Sequence, residues 1–144
     1  MEKVCLFLAR GFGSGLLKPA PGTWGSLVAV IIAYFIHLPW WFILLAGMLA
    51  IYICDVAEKV LGVPDASEIV LDEFIGMWIT CWAIPHHIVL YILAFALFRL
   101  FDITKVFPVD NVQSLPGGLG VVADDVVAGL MGRIVMAVVI FIWF

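Results

Sequence analysis

Charge is scarce in this 144-residue chain: only 12% of its residues are Asp, Glu, Lys or Arg, against about 25% in a soluble domain. The few basic residues form no run and the net charge is −4, so the chain has no electrostatic footprint for nucleic acid. Cysteine is limited to Cys5, Cys54 and Cys81, each in an apolar segment and none in CxxC spacing. That argues against a disulfide frame and a thiolate metal site, and for small buried hydrophobes. Histidine is equally sparse. His86-His87 is an adjacent pair with no third ligand nearby, which is a poor basis for a metal site. No internal repeat or low-complexity tract is present.

What fills the chain instead is apolar: 65% of it is hydrophobic and the mean hydropathy is +1.21. The bilayer is the expected solvent, and the expected fold is all-α: one domain, 1–144, forming a polytopic helical bundle. Prolines and charge clusters mark about five apolar helices. The first runs from about Thr23 to His37 with Thr23 as N-cap. The second runs from about Trp40 to Leu61, closed by Gly62 and Pro64. The third spans about Ser67 to Ile84, the fourth His86 to Lys105 and the fifth Val121 to Trp143. Fifteen residues give roughly 22 Å against an apolar core of about 30 Å, so the first helix is short for a full span. Ahead of them, Val4 to Ala9 is too short for a signal-peptide core, and Arg10-Gly11-Phe12-Gly13 breaks it. This segment is expected to remain as a short interfacial helix.

Alternating topology sorts the charges. Lys3, Arg10, Lys18, Lys59, Arg99 and Lys105 fall on one side, and His37, His86 and His87 on the other. The positive-inside rule makes the charged side cytoplasmic. Trp40, Trp41, Trp82 and Trp143 land at the opposite interface, as an aromatic belt does. The acids also gather at or near the cytoplasmic face, which makes that face suited to a polar headgroup.

Two acidic pairs stand out because they interrupt apolar runs. Asp72-Glu73 precedes Phe74-Ile75-Gly76-Met77-Trp78, and Asp124-Asp125 lies between Val121-Val122-Ala123 and Val126-Val127-Ala128. A carboxylate in apolar surroundings is costly unless compensated, and ionisable groups within membrane helices are functional-site candidates. Complementing a helix dipole explains one acid near an N-terminus better than two adjacent ones. Four carboxylates converging with Asp102 repel unless a cation sits among them, and oxygen ligands favour Mg²⁺ or Mn²⁺ over zinc. Candidates for the headgroup are Arg99 and Lys105, a fork and a point charge for phosphate. Thr23 and Ser26 add hydroxyls in Pro21-Gly22-Thr23-Trp24-Gly25-Ser26. Lys59 shares that face, although its i, i+4 spacing from Asp55 also fits a solvated pair. Arg99 and Asp102 can likewise simply pair with each other. Arg133 ends a small-residue face, Asp125, Ala128, Gly129 and Gly132, about two turns or 12 Å from Asp125. At that depth it needs an acidic partner or snorkels, a structural ion pair being favoured over direct phosphate contact. Gly11-Phe12-Gly13-Ser14-Gly15 and Pro116-Gly117-Gly118-Leu119-Gly120 read as loops, and neither is a P-loop.

These pieces together resemble the phosphatidylglycerophosphatase A family. The resemblance rests on Gly11 to Leu16, Pro21 to Leu27, Ile69 to Thr80, Phe98 to Lys105 and Gly117 to Gly129, in that order and spacing. The chain departs from the family at Lys105-Val106-Phe107-Pro108, where the family pattern is Lys-Pro-Trp-Pro. The resemblance implies Mg²⁺-dependent hydrolysis of the phosphomonoester of phosphatidylglycerophosphate, yielding phosphatidylglycerol, at the cytoplasmic face of a bacterial inner membrane. Asp72, Glu73, Asp124 and Asp125 then become the metal site with Asp102 a fifth catalytic candidate. Membrane lipids are the surroundings, and the oligomeric state is open. No Cys-x5-Arg loop or Asp-x-Asp motif offers another phosphatase chemistry. Rival readings are a small ion or solute transporter, since intramembrane acids also suit an ion path, and a structural membrane subunit.

Overall fold

A computed structural model describes residues 2–16, 20–62, 68–104 and 117–143. Within them the fold is all-helical, with no strand. Helix α1 (Glu2–Ala9) leads into a tight reversal and a short 3-10 turn, Ser14–Leu16. Then follow α2 (Pro21–Phe35), α3 (Trp40–Leu61), α4 (Leu71–Cys81), α5 (Ile88–Thr104) and α6 (Gly117–Trp143). The expected stretch at the N-terminus is therefore helical, and α3 has the bounds read from the sequence. Gly62 closes α3 in the left-handed region at φ 71°, its N–H donating to Glu58 O at 2.8 Å, a conformation that glycine takes without steric cost.

Other boundaries differ. Helix α2 starts at Pro21, not Thr23, and carries no side-chain cap; the fixed φ and missing N–H of proline suit a first helical position. Helix α4 has 11 residues and stops at Cys81. Trp82 turns extended and Ala83 takes φ 57°, so the chain leaves the helix ahead of Pro85 rather than at it. Helix α6 begins at Gly117 and absorbs the glycines expected in a loop. Gly120, Val121 and Val122 are buried there, and packing outweighs the weak helix propensity of glycine.

Two helices are long and apolar enough to cross a membrane, Trp40–Leu61 and Leu119–Trp143, while Pro21–Phe35 is apolar but shorter. The expected count of about five apolar helices thus reduces to two by this measure. With the composition, these two mark a membrane protein. Their outer faces expose Leu44, Leu45, Met48 and Leu49 on α3 and Ile134, Val138 and Phe141 on α6, as lipid-facing helices do.

The shortest of the apolar helices occupies the centre. Helix α4 packs against α2, α3, α5 and α6. Phe74, Ile75 and Met77 are almost fully buried, and Trp78 reaches α2 by donating its ring N–H to Ala29 O at 3.0 Å. A helix buried on every side is a core element. The N-terminal reversal is tied to its start: Val70 N donates to Ala9 O at 2.7 Å, and Arg10 pairs with Glu68 at 2.8 Å. A Cβ at Gly15 would overlap the Glu68 carbonyl, so glycine is what allows that approach.

Candidate metal and phosphate site

Helices α4 and α6 meet at a close glycine crossing. A Cβ at Gly129 would overlap the Gly76 backbone, and one at Gly76 would overlap the Asp125 carbonyl and the Phe98 ring. One turn further along, the Thr80 hydroxyl lies 3.1 Å from Gly76 O and 3.0 Å from Gly129 O, and Gly132 faces the Thr80 side chain. Small residues let membrane helices approach backbone to backbone, and a hydroxyl bonded across the seam adds to it. The register is therefore parallel in steps of about four residues: Asp72 beside Asp125, Gly76 beside Gly129, Thr80 beside Gly132. Each aspartate lies four residues before its crossing glycine, which is one helical turn. The crossing is what brings the two acidic pairs together.

The result is a compact carboxylate cluster with two overlapping groups. Asp72, Asp124 and Asp125 each offer an oxygen within 4.8 Å of the others, and so do Glu73, Asp102 and Asp125. Asp125 belongs to both. Asp72, Asp102, Asp124 and Asp125 are buried, and Glu73 is half-buried. At about 5 Å, two full negative charges repel by about 3 kcal/mol even at an effective dielectric near 20. Oε2 of Glu73 and Oδ1 of Asp125 are buried with no hydrogen-bond partner among the described residues. Buried polar atoms normally find a partner, and such exceptions call for an unseen ion or water. An all-carboxylate donor set with unsatisfied oxygens fits a hard divalent cation.

Positive charge enters from α5. Arg99 donates from Nη1 to Asp102 Oδ2 at 2.6 Å, with the guanidinium largely buried. Its Nε has no hydrogen-bond partner among the described residues. The pairing read from the sequence is present, and it holds Arg99 at the edge of the cluster. The start of α2 reaches the same place: a Cβ at Gly22 would lie 2.9 Å from Glu73 Oε1 and 3.3 Å from Arg99 Nη1. In the first turn of α2 the Trp24 N–H donates to Ala20 O at 3.2 Å. The first N–H groups of a helix, here those of Gly22 and Thr23, are the ones a helix start offers an anion.

The other headgroup candidates are distributed differently. Thr23 is half-buried in the first turn of α2 and is not its N-cap. Ser26 is fully buried and donates to Gly22 O at 2.8 Å, which gives it a helix-internal role. Lys59 pairs with Asp55 at 3.0 Å and is 77% exposed, the solvated helix-end pair that its spacing allowed. Arg133 has no acidic partner among the described residues; it lies 5.8 Å over the Trp82 ring at the far end of α4. Its distance along α6 outweighs its shared helix face. Lys105 lies outside the described residues. His86 contacts Tyr34 O at 3.0 Å and His87 accepts the Val89 N–H; both belong to the α4–α5 turn and neither joins the carboxylates. All three cysteines are buried and free.

Sequence reading missed Gly22 and Gly76, the two positions where the site depends on having no side chain. A signal for Gly76 existed: Asp72, Gly76 and Thr80 repeat at i, i+4 spacing, matching the Asp125, Gly129 and Gly132 stripe.

A family model for "PgpA: Phosphatidylglycerophosphatase A" matches residues 7–140. A protein of Haemophilus influenzae named phosphatidylglycerophosphatase A is 43% identical over 137 residues, covering 90% of this chain and 84% of its own length. One of the same name from Escherichia coli is 44% identical over 131 residues, with 86% and 76% covered. A third relative, from Bacteroides thetaiotaomicron, carries a name that only proposes a phosphatidylinositol-3-phosphatase. It is 39% identical over 146 residues, with 92% and 91% covered. No solved structure matches the chain.

Proposed function

The chain belongs to the phosphatidylglycerophosphatase A family, and from that premise we propose that it acts as one membrane-embedded lipid phosphatase. The reaction is hydrolysis of the terminal phosphomonoester of phosphatidylglycerophosphate to phosphatidylglycerol and phosphate, a step of phospholipid biosynthesis. The observation that carries the reading is the shared carboxylate cluster around Asp125, with its unsatisfied buried oxygens, beside Arg99 and the start of α2.

Asp72, Glu73, Asp124 and Asp125 would hold Mg²⁺, with Asp102 beside them and paired to Arg99. Bound there, Mg²⁺ supplies Lewis-acid polarisation of the phosphate and eases deprotonation of water. The remaining work falls to the chain. Arg99 neutralises non-bridging phosphate oxygens, the main electrostatic task in phosphoryl transfer, and Asp102 keeps its fork in position. The start of α2 receives another oxygen, as a helix N-terminus suits an anion. One carboxylate of the cluster takes the proton of the attacking water as the phosphorus–oxygen bond to glycerol breaks, and the carboxylic acid so formed returns that proton to the departing alkoxide. Lys105 is proposed to add charge from the segment after α5. The topology that suits this chemistry has the cluster at the cytoplasmic face of a bacterial inner membrane, with α2 to α6 as embedded helices.

A second substrate has a specific motive in the name of the Bacteroides relative: a phosphoinositide carrying a 3-phosphate. Both are phosphomonoesters on a lipid. The test is phosphate release by purified protein in detergent, from each lipid, with Mg²⁺ and with EDTA. Metal-dependent release from phosphatidylglycerophosphate, well above that from the phosphoinositide, is the expected result. The reverse preference reassigns the substrate, and no release from either lipid overturns the phosphatase reading in favour of a transporter or structural subunit.

A further inference from the structure

An apolar groove of about 490 Å³ runs between α3, α4 and α6. We propose that it holds one acyl chain of the lipid whose phosphate occupies the carboxylate site, and that Arg133 and Trp82 set where that chain ends. The proposal rests on the lipid-phosphatase reading above.

The carboxylates do not line the groove, but its near end is built by residues next to them in the chain. Val122 and Val126 line it and bracket Asp125 in the sequence, while Ile75, also lining it, is one turn beyond Asp72. It then follows one stripe of α6 through Leu130 to Arg133, roughly 16 Å of helix. It opens sideways between side chains that face the bilayer, among them Leu44, Met48 and Leu130, each at least half exposed. An apolar channel open to hydrocarbon, with its near end beside the phosphate site, matches the two parts of a phospholipid.

Gly47 shows that the space is built in. It lines the groove, and a Cβ there would meet only Ile75, at 3.4 Å, an ordinary contact. Gly76 and Gly129 are required by a backbone crossing; Gly47 is not. A glycine within a helix costs about 1 kcal/mol relative to alanine, so its effect here is the room it leaves.

The far end differs in chemistry. Nε and Nη1 of Arg133 are buried without a hydrogen-bond partner among the described residues, and the guanidinium lies over Trp82. A chain extending past this point has to press hydrocarbon against a charged group, which is costly. A chain that stops short leaves Arg133 able to reach toward the far interface. The end of the groove therefore sets a length limit.

Two measurements test this. Dihexanoyl and dipalmitoyl phosphatidylglycerophosphate are compared in mixed micelles, using wild type, Gly47→Leu and Arg133→Met. Gly47→Leu is expected to lower the ratio of long-chain to short-chain kcat/KM about tenfold, the scale of filling an apolar pocket with extra carbon. Arg133→Met is expected to raise the ratio of long-chain to short-chain kcat/KM, and an unchanged ratio would remove Arg133 as the length limit. Separately, a phosphatidylglycerol with a diazirine near the acyl terminus is photolysed with wild-type protein. Its crosslinks are expected on α3 and α6 near Gly47 and Leu130. An unchanged ratio in Gly47→Leu, or crosslinks spread over the outer faces of the bundle, overturns the proposal. If wild type hydrolyses neither lipid, the catalytic reading fails by itself, and the crosslink map still decides whether the groove binds a chain.

Discussion

The two ends of the α4–α6 pair both carry ionisable groups inside apolar helices, yet they handle them in opposite ways. At the N-terminal end, carboxylates from α4, α5 and α6 converge within a few ångströms, with Arg99 alongside. At the other end, the partner of Arg133 among the described residues is the Trp82 ring. Between them lies the Gly76–Gly129 crossing, which sets the register for both. Burial of charge alone is therefore no sign of catalysis. Convergence of like charges from several helices is the more telling feature, because such a cluster is compatible with a bound divalent cation. A lone arginine over an aromatic ring has its compensation already, in the ring face and in its own reach.

The strongest way to break this contrast is to remove the residue common to both carboxylate groups. Asp125→Asn should lower phosphate release by about a thousandfold or more, the scale of losing a preorganised electrostatic element, while helicity and gel-filtration profile stay those of wild type. Activity within a few fold of wild type would take Asp125 out of the site. Gly76→Val attacks the crossing that links the two ends. Its side chain would collide with the Asp125 carbonyl and Phe98, so a loss of about 1–3 kcal/mol in stability is expected from overpacking. Thermal unfolding in detergent measures it, and an unchanged midpoint would mean that the helices do not meet there. Trp82→Leu addresses the other end and should do least, with a loss of about 0.5–2 kcal/mol for the cation–π contact in the same unfolding assay. A larger loss than Gly76→Val produces would invert the ranking of the two contacts.

Much of the site was legible because its chemistry is local in the sequence. Asp72-Glu73 and Asp124-Asp125 are conspicuous in any apolar run, and Arg99 and Asp102 sit three apart, where a helix makes them neighbours. The α3 boundaries were legible for the same reason: Pro39 before it and Gly62 after it are local punctuation. The early starts of α2 and α6 and the early end of α4 were not. Their ends answer to what packs against them, such as buried Gly120 to Val122 or the turn at Ala83. Ser26 and Lys59 looked available by residue type, but the first is bonded within its helix and the second is held by Asp55. The Arg10–Glu68 pair joins residues 58 apart, a distance that no local spacing rule covers.

By itself the sequence determined that this is a membrane chain, which family it resembles, and which acids have to be explained. Those follow from composition, from order, and from the cost of charge in hydrocarbon. Only the tertiary structure decided that Asp125 is shared by two carboxylate groups, that Gly22 lets α2 approach Arg99 and Glu73, and that Arg133 stands apart from them. The reason is geometric. Helix register depends on how closely two backbones approach, and at Gly76 and Gly129 that approach is set by the absence of side chains, which becomes visible only when the two helices are placed together.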